Sequence, residues 1–285
     1  MKFNQQLLID AIKAGRKSEY IPFSLHIFDS LSSTNQRLWE LLEEKSSLGD
    51  VVIATQQTAG RGQWGRQWLS ATGGLYLSVA IKPKLEAVNS YQLTLATAWG
   101  IAAQLQKCGI NTGIKWPNDL VLDGRKLGGI LTETKINQGQ ITQAVIGVGI
   151  NWANPVPDTG INLLSWQAQH GYSIITDLET LAANVLLGIE TGLDCLEEQG
   201  IDKLLSSYLS LLTNMGDRVY INNLLGTVVG VTSQGNLRLR MATYDTKEAV
   251  RQEIAVPPGT ISLGYAIQSS GVKSQEKAVR LNSEC

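Results

Sequence analysis

The chain has 285 residues, of which 43% are hydrophobic, and this allows one large domain with a sizeable core plus a small second domain. The formal net charge is −1, so the composition shows no basic excess for a nucleic-acid surface, and we expect no specific DNA binding. Two histidines exclude a histidine-rich metal site, and three widely spaced cysteines indicate reduced thiols in a cytoplasmic protein. We find neither a signal-peptide pattern nor a run of ~18 apolar residues, and therefore expect no membrane association.

The N-terminal residues predict a short helix followed by a strand. Residues 4–14 carry apolar side chains on one helical face and are followed by Gly15, a pattern typical of a short amphipathic helix. Residues 25–28 predict the first strand. Only ~25 residues precede that strand, fewer than the ~40–50 of a small independent domain. We therefore expect no N-terminal DNA-binding domain.

The next predicted helix begins near Ser33. Ser33 and Gln36 match a capping box, and leucines follow at helical spacing. On this pattern alone, Ser33 and Thr34 are helix caps. A second interpretation is that the start of the helix presents hydroxyls and backbone N–H groups to a ligand.

The most unusual stretch is residues 60–68, which holds three glycines, two arginines and two tryptophans. Strand-like runs at 51–54 and 75–81 lead into and out of it. Glycine lets backbone N–H groups approach a ligand closely, and successive N–H groups can form an anion-binding concavity. Arg61 and Arg66 add charge-assisted bonds that suit phosphate or carboxylate. The stretch therefore predicts a loop that wraps an anionic small molecule.

Two other interpretations of this loop are weaker. The spacing Gly60-x-Gly62-x-x-Gly65 matches the dinucleotide-binding fingerprint, but that fingerprint requires a helix to begin at the glycines. Here Gly73-Gly74 and a strand pattern follow instead. A purely structural glycine hairpin is a commoner feature, but two arginines and two tryptophans on one loop argue against it.

A second unusual stretch surrounds Lys115. This lysine lies between apolar neighbours in a strand-like run, where a charge is costly unless it has a partner. Pro117 forces Trp116 into an extended conformation, and Asn118 and Asp119 then favour a turn. Taken alone, the pattern favours a lysine on an edge strand.

The middle of the chain predicts one helix and several paired strands. Residues 91–107 predict a helix lined with small side chains, which we expect to pack closely on a sheet. Residues 120–127 predict a hairpin with an Asp-Gly turn, and further strands are predicted at 128–133 and 143–150. Short turns between consecutive strands indicate a mixed, largely antiparallel sheet. The predicted fold class is therefore α+β, with helices packed on the sheet.

The last third of the chain changes in character after Asn214. Helices are predicted at 177–196 and 202–212, and short strands split by Asn, Gly and Pro follow, which indicates a small β-barrel. The final residues are polar and predict a loose tail. The predicted units are a main domain (1–213), a small barrel domain (214–268) and the tail (269–285).

Five motifs of the chain occur in the same order as the motifs of a known family, and at similar spacing. They are Ser33-Thr34-Asn35, Gln57 with Gly60-Arg61-Gly62-x-x-Gly65-Arg66, Lys115-Trp116-Pro117-Asn118-Asp119, Lys126-Leu127-Gly128-Gly129-Ile130 and Gly147-x-Gly149-Ile150-Asn151. Each motif alone is weak, but the ordered set is strong. Over residues 25–265 the chain resembles the biotin–protein ligases.

The resemblance implies a two-step reaction. Biotin and Mg-ATP give biotinyl-5′-AMP and pyrophosphate, and a lysine of the biotin carboxyl carrier protein of acetyl-CoA carboxylase then attacks the adenylate. The implied small molecules are biotin, ATP and Mg²⁺, and the metal ligands are unknown. The implied fold is a biotin/lipoate ligase-like catalytic domain with a small C-terminal SH3-like barrel, acting as a monomer or homodimer in the cytoplasm.

The resemblance also implies roles for individual residues. Lys115 and Arg61 would be catalytic, with Lys115 bridging the biotin carboxylate and the α-phosphate. Such a site holds two anions together and stabilises charge at the α-phosphate, so it needs no acid–base residue. The implied biotin-binding residues are Ser33, Thr34, Gln57, Gly60, Arg61, Gly62, Gln63 and Lys115. The implied nucleotide-binding residues are Arg66, Trp68, Asn118, Asp119 and Asn151.

The chain departs from the family pattern at Gln63, where many bacterial members have arginine. The nearest alternative function is lipoate– or octanoate–protein ligation or transfer, which the Gly60-Arg61-Gly62 motif and the segment 115–119 disfavour. An alternative of another class is a non-catalytic module that senses biotinyl-adenylate. The presence of Lys115 disfavours that alternative.

Overall fold

The computed structural model describes residues 3–16, 21–44, 48–221, 224–242, 252–265 and 280–281. The α-helices of these residues are α1 (Gln5–Gly15), α2 (Thr34–Glu44), α3 (Tyr91–Lys107), α4 (Leu163–Gln169), α5 (Leu178–Asp194) and α6 (Gly200–Ser210). The strands are β1 (Ser24–Phe28), β2 (Asp50–Ala54), β3 (Leu75–Ile81), β4 (Gly113–Lys115), β5 (Asp119–Leu122), β6 (Arg125–Asn137), β7 (Gln140–Ile150), β8 (Arg218–Ile221), β9 (Leu224–Val231), β10 (Leu237–Met241), β11 (Glu253–Val256), β12 (Ile261–Ser262) and β13 (Arg280–Leu281).

Seven strands form one mixed sheet in the order β1-β2-β3-β7-β6-β5-β4. Strands β1 and β2 are parallel, and every other neighbouring pair is antiparallel. The predicted α+β class with a largely antiparallel sheet is therefore confirmed. The predicted Asp-Gly turn is also present between β5 and β6, with φ of 49° at Asp123 and 73° at Gly124.

Apolar side chains cover both faces of this sheet. On one face, Leu38 and Leu42 of α2 pack in a cluster with Val52, Ala80 and Val145. On the other face, a larger core joins α1, α3, α5 and α6 to the sheet. Because both faces are covered, β2 and β3 are buried along their whole length and have the continuous apolar sequences that made them recognisable.

Helices α3 and α5 approach each other closely through their small residues. A Cβ added at Gly100 would lie 2.0 Å from the carbonyl oxygen of Gly188, and one added at Gly192 would lie 2.1 Å from the carbonyl oxygen of Ala96. The expected packing of α3 on the sheet is present, since α3 lies against β4, β5 and β6. At Gly100 and Ala96 the close contact is with α5.

The C-terminal strands form a second sheet. Its four antiparallel strands have the order β11-β10-β9-β8, and β12 pairs separately with β13. The predicted strands after Asn214 are therefore present. Of the predicted tail 269–285, only residues 280–281 lie among the described residues, and they form β13 rather than irregular chain.

Helix α4 was not predicted from the sequence. This single short helix lies between the proline-containing loop 154–159 and α5. Its N-cap is Asn162, whose side chain accepts a hydrogen bond of 2.8 Å from the Ser165 backbone N–H. Within the described ranges, no helix is both long enough and apolar enough to cross a membrane.

We expect Gly100→Ala to destabilise the protein by ~1–3 kcal/mol, because the added methyl would meet the backbone of α5 and the two helices would have to separate. The measurement is the urea midpoint of unfolding. Ser206→Ala, at an exposed position of α6, is the matched control and should leave the midpoint unchanged. Equal midpoints for Gly100→Ala and the unmodified protein would contradict the close packing of α3 on α5.

Candidate active site

An open cleft lies where the glycine-rich loop, the start of α2, the β4–β5 turn and strands β6 and β7 meet. The segment 261–263, from the C-terminal part of the chain, forms one part of its wall. All five motifs singled out in the sequence contribute lining residues. The fold therefore gathers motifs that are more than a hundred residues apart into one site.

The glycine-rich loop 60–68 folds back on itself as a tight hairpin. The Gly62 N–H donates to the carbonyl of Arg66 at 2.7 Å, and the Trp68 N–H donates to the carbonyl of Gly60 at 2.9 Å. Between these bonds lies a single 3₁₀ turn in which Trp64 has φ of 54°, a conformation uncommon for a non-glycine residue. No α-helix begins at these glycines, so the dinucleotide-binding interpretation is excluded.

Helix α2 begins at Thr34, as predicted, but the predicted capping box does not form. The Gln36 side chain instead donates to Glu40 at 3.3 Å and accepts a 3.4 Å bond from Ser32. Gln57 satisfies the start of the helix, since its Oε1 accepts from the backbone N–H of Thr34 at 2.8 Å and from the Thr34 hydroxyl at 3.2 Å. Two residues predicted to bind the same ligand are thus in direct contact in the cleft wall.

The residue after Thr34 anchors α2 to the sheet. Asn35 Oδ1 lies 2.6 Å from the Ser78 hydroxyl, and Asn35 Nδ2 donates to Glu133 Oε2 at 2.9 Å. A Cβ added at Gly147 would lie 2.2 Å from Asn35 Oδ1. Position 147 must therefore be glycine for α2 to approach β7 this closely.

The β4–β5 hairpin places Lys115 directly opposite Asp119. Their side chains are only 9% and 12% exposed, and Lys115 Nζ lies 3.6 Å from Asp119 Oδ2. Lys126 Nζ lies 2.7 Å from Asp119 Oδ1. The Tyr265 hydroxyl donates to Asp119 Oδ2, and its ring centroid lies 3.8 Å from Lys115 Nζ. Lys115 does lie on an edge strand, but its ammonium is buried and has both an ion pair and a cation–π contact.

Two tyrosines brace the turn between Lys115 and Asp119. Burial raises the pKa of Tyr265 far above its usual value, and the negative charge of Asp119 raises it further. Burial, followed by the charge of Asp119, likewise raises the pKa of Tyr208, whose hydroxyl donates to the carbonyl of Pro117 at 3.0 Å. Both hydroxyls therefore remain protonated donors at physiological pH.

Trp68 packs against two glycines in the cleft wall. A Cβ added at Gly149 would lie 2.5 Å from its indole nitrogen, and one added at Gly129 would lie 3.4 Å from its ring. Lys126 Nζ is 5.0 Å from the ring centroid. Trp68 Nε1 and Gln63 Oε1 are buried and have no hydrogen-bond partner within the described part of the chain. Such atoms cost ~1–3 kcal/mol each, so they mark positions where a ligand can form bonds.

Comparison with known proteins decides the family. The model of the biotin/lipoate A/B protein ligase family matches residues 27–151. The bifunctional ligase/repressor BirA of Bacillus subtilis (strain 168) is 32% identical over 250 residues, which is 85% of this chain and 75% of that protein. The chain belongs to this ligase family.

Two further members of the family are biotin enzymes by name. The biotin–[acetyl-CoA-carboxylase] ligase of Paracoccus denitrificans is 35% identical over 112 residues, which is 38% of this chain and 46% of that protein. A mutant biotin protein ligase from Aquifex aeolicus, solved in complex with biotin, is 25% identical with a TM-score of 0.65, covering 83% of this chain and 96% of that chain. The resemblance to biotin–protein ligases inferred from the motifs is confirmed.

Of the site residues predicted for this family member, only Gly60 and Asn151 do not line the cleft. Gly60 lies beneath the loop, where an added Cβ would be 2.4 Å from the Ser70 hydroxyl. The Asn151 side chain donates to the carbonyl of Lys126 at 3.2 Å and accepts from Asn154 at 3.0 Å. Asn151 therefore supports the strand that carries Lys126 rather than lining the cleft itself.

Three charged or polar residues of the site were not predicted as site residues. Lys126 stands in a motif that was recognised, so its position beside apolar residues was an available signal. Glu133 and Tyr265 had no such signal, because their partners in the site are distant in sequence. Among the described residues, no group of three or more His, Cys, Asp and Glu side chains could hold a metal ion.

We expect Asp119→Ala to destabilise the protein by ~3–5 kcal/mol, because it leaves the buried Lys115 ammonium without its carboxylate. The measurement is the free energy of unfolding in urea at pH 7. Glu43→Ala is the control, since it removes a carboxylate from an exposed ion pair with Lys135 and should cost less than ~1 kcal/mol. A loss for Asp119→Ala no larger than the control's would contradict a buried ion pair at Lys115.

Proposed function

We propose that the chain is an ATP-dependent biotin–protein ligase that activates biotin to biotinyl-5′-AMP and transfers it to a lysine of an acceptor protein. The observation that carries this proposal is the place of Lys115. Its buried ammonium shares one cleft with an arginine-containing glycine loop and with the polar start of α2. The family membership supports the same reaction.

The proposed first step joins two anions. A biotin carboxylate oxygen attacks the α-phosphorus of ATP, a new P–O bond forms, and pyrophosphate leaves with the broken bond's electron pair. Lys115 and Arg61 bring the two anions together and stabilise the charge that develops on the α-phosphate. In the second step the acceptor amine attacks the acyl carbon, an amide bond forms, AMP leaves, and the amine loses a proton.

The biotin end of the cleft is assigned to the wall formed by α2 and the glycine loop. Thr34 and Gln57 are in hydrogen-bond contact there and can exchange that bond for bonds to the polar head group of biotin. The loop hairpin then lies over the reacting carboxylate. The proposed biotin-binding residues are Ser33, Thr34, Gln57, Gly60, Arg61, Gly62, Gln63 and Lys115.

The nucleotide end is assigned to the side of the cleft that contains Trp68 and the β4–β5 turn. The indole nitrogen of Trp68, which has no hydrogen-bond partner among the described residues, offers a donor to a nucleotide. Asp119 is already bonded to Lys115, Lys126 and Tyr265, so we assign Mg²⁺ to the phosphates of Mg-ATP rather than to a protein cage. The proposed nucleotide-binding residues are Arg66, Trp68, Asn118 and Asp119, which line the cleft, and Asn151, which would act from behind its wall through the strand that carries Lys126.

The proposal also covers the acceptor protein, the division into domains and the location of the enzyme in the cell. The acceptor is the biotin carboxyl carrier protein of acetyl-CoA carboxylase, which the name of the Paracoccus relative supports. The catalytic unit is residues 1–213, and residues 214–268 form an SH3-like barrel, which the four-stranded antiparallel sheet supports. The enzyme acts in the cytoplasm. Absence of specific DNA binding stays a prediction.

The test of the function is a transfer assay with the purified chain, Mg-ATP, radiolabelled biotin and a purified carrier domain. Covalent label should appear on the carrier only when ATP is present. Radiolabelled lipoate serves as the competing substrate. Transfer of lipoate without transfer of biotin would establish the alternative function, and transfer of neither would favour a non-catalytic binding module.

We expect Lys115→Ala to retain biotin binding but to lose ~3–4 kcal/mol of transition-state stabilisation in adenylation, because one charge donor is removed from the α-phosphate. Pyrophosphate release measures the rate, and calorimetric titration measures biotin binding. Lys135→Ala removes an exposed lysine that pairs with Glu43 and should change neither. An unchanged adenylation rate in Lys115→Ala would rule out the assigned role of this lysine.

We expect Gln63→Arg to slow the release of biotinyl-adenylate. Gln63 lines the cleft, and an arginine there would add a positive charge beside the anionic intermediate. A hydrogen bond to a charged group is worth ~1.5–3 kcal/mol, against ~0.5–1.5 for a neutral pair. The measurement is the dissociation rate of preformed adenylate from both proteins at one ionic strength. Identical rates would mean either that Gln63 lies outside the reach of the adenylate or that Trp64 already replaces it in function.

A further inference from the structure

Glu133 is a carboxylate of β6 on which three donors converge. Its Oε2 accepts hydrogen bonds from Asn35 Nδ2 at 2.9 Å, from Trp39 Nε1 at 3.2 Å and from Arg61 Nη2 at 3.2 Å. Two of these donors belong to α2, and the third belongs to the glycine-rich loop. One oxygen therefore ties both the loop and the helix of this part of the cleft wall to the central sheet.

The bond to Arg61 is the one that bears on the reaction. The Arg61 side chain is 45% exposed and that of Glu133 is 27% exposed, so the pair lies at the edge of the cleft rather than in the core. An arginine side chain carries about 2 kcal/mol of rotamer entropy, and a free guanidinium would sample many positions around a glycine-rich loop. The bond uses Nη2, whereas a guanidinium has five N–H donors in a planar fork. Donors therefore remain for an anion in the cleft.

We propose that Glu133 is a positioning residue that holds the Arg61 guanidinium at the cleft for the anionic reactants. This inference rests on the proposed function, because it concerns the adenylation step of the same site. Glu133 does not touch the reactants. It acts through Arg61, and its bonds to Asn35 and Trp39 fix the carboxylate so that Arg61 meets a rigid partner.

A purely structural role must be distinguished from this one. In a purely structural role, Glu133 would only hold α2 against β6. The neighbouring ion pair joins the same two elements, with Lys135 Nζ 3.1 Å from Glu43 Oε1. A structural role would lower stability and would reduce activity whether or not Arg61 is present. A positioning role would reduce the rate only through Arg61.

The experiment is a double-mutant cycle with Glu133→Gln and Arg61→Gln in the full chain. The glutamine can still accept from Asn35 and Trp39 but carries no charge for Arg61. We expect Glu133→Gln to lower the adenylation rate constant roughly tenfold, as a misplaced catalytic group does. The biotin dissociation constant should change much less. In the Arg61→Gln background the same substitution should have no further effect. The control is Glu43→Gln, which breaks the neighbouring ion pair and should leave the rate unchanged.

Each outcome decides the inference. Equal effects of Glu133→Gln with and without Arg61 would overturn it in favour of a structural role, as would an unchanged rate in a folded Glu133→Gln protein. If that variant does not fold, Glu133→Asp replaces it in the same cycle, since the shorter carboxylate keeps the charge but draws it away from Arg61. Absence of coupling there would also overturn the inference. Failure of the unmodified chain to form adenylate would instead disprove the proposed function.

Discussion

The site depends on keeping one ammonium charged inside the protein. The Lys115 side chain is only 9% exposed, and a buried charge is tolerated only with a partner and further hydrogen bonds. Asp119 supplies the partner, and Lys126 and Tyr265 hold Asp119 in place. Two cations share one carboxylate, so a positive charge remains to attract anionic substrates. Lys115 Nζ lies 3.6 Å from Asp119 Oδ2, and Lys126 Nζ lies 2.7 Å from Asp119 Oδ1.

The same turn connects the site to the C-terminal part of the chain. The Trp116 backbone N–H donates to Asn214 Oδ1 at 3.1 Å, and its indole N–H donates to the carbonyl of Gly235 at 2.8 Å. Tyr265 comes from the same part of the chain and bonds to Asp119. Gly235 and Tyr265 of this part of the chain therefore help to form the environment of Lys115.

Features that depend on neighbouring residues in the chain could be predicted from the sequence. Helix α3 is found at the predicted residues, and residues 60–68 lie in a loop between two strands, as the flanking strand-like runs indicated. Contacts between distant segments were not predictable in this way. Gln57 replaces the expected capping box from 23 residues away, and Tyr265 reaches Asp119 from 146 residues away. The cost of a buried Lys115 indicated that a partner must exist, but not which residues would supply it.

The cleft also contains polar atoms that the fold leaves unsatisfied. Trp68 Nε1 and Gln63 Oε1 are buried without a hydrogen-bond partner among the described residues, although nearly all buried polar groups in proteins have one. The ring of Trp68 packs directly against Gly129 and Gly149, so there is little space for it to adopt another position. A ligand that bonds to these atoms recovers the free energy lost in burying them. A ligand that offers an acceptor to Trp68 Nε1 and a donor to Gln63 Oε1 binds to atoms that folding has already desolvated. The desolvation cost of these protein atoms is then not added to the free energy of binding.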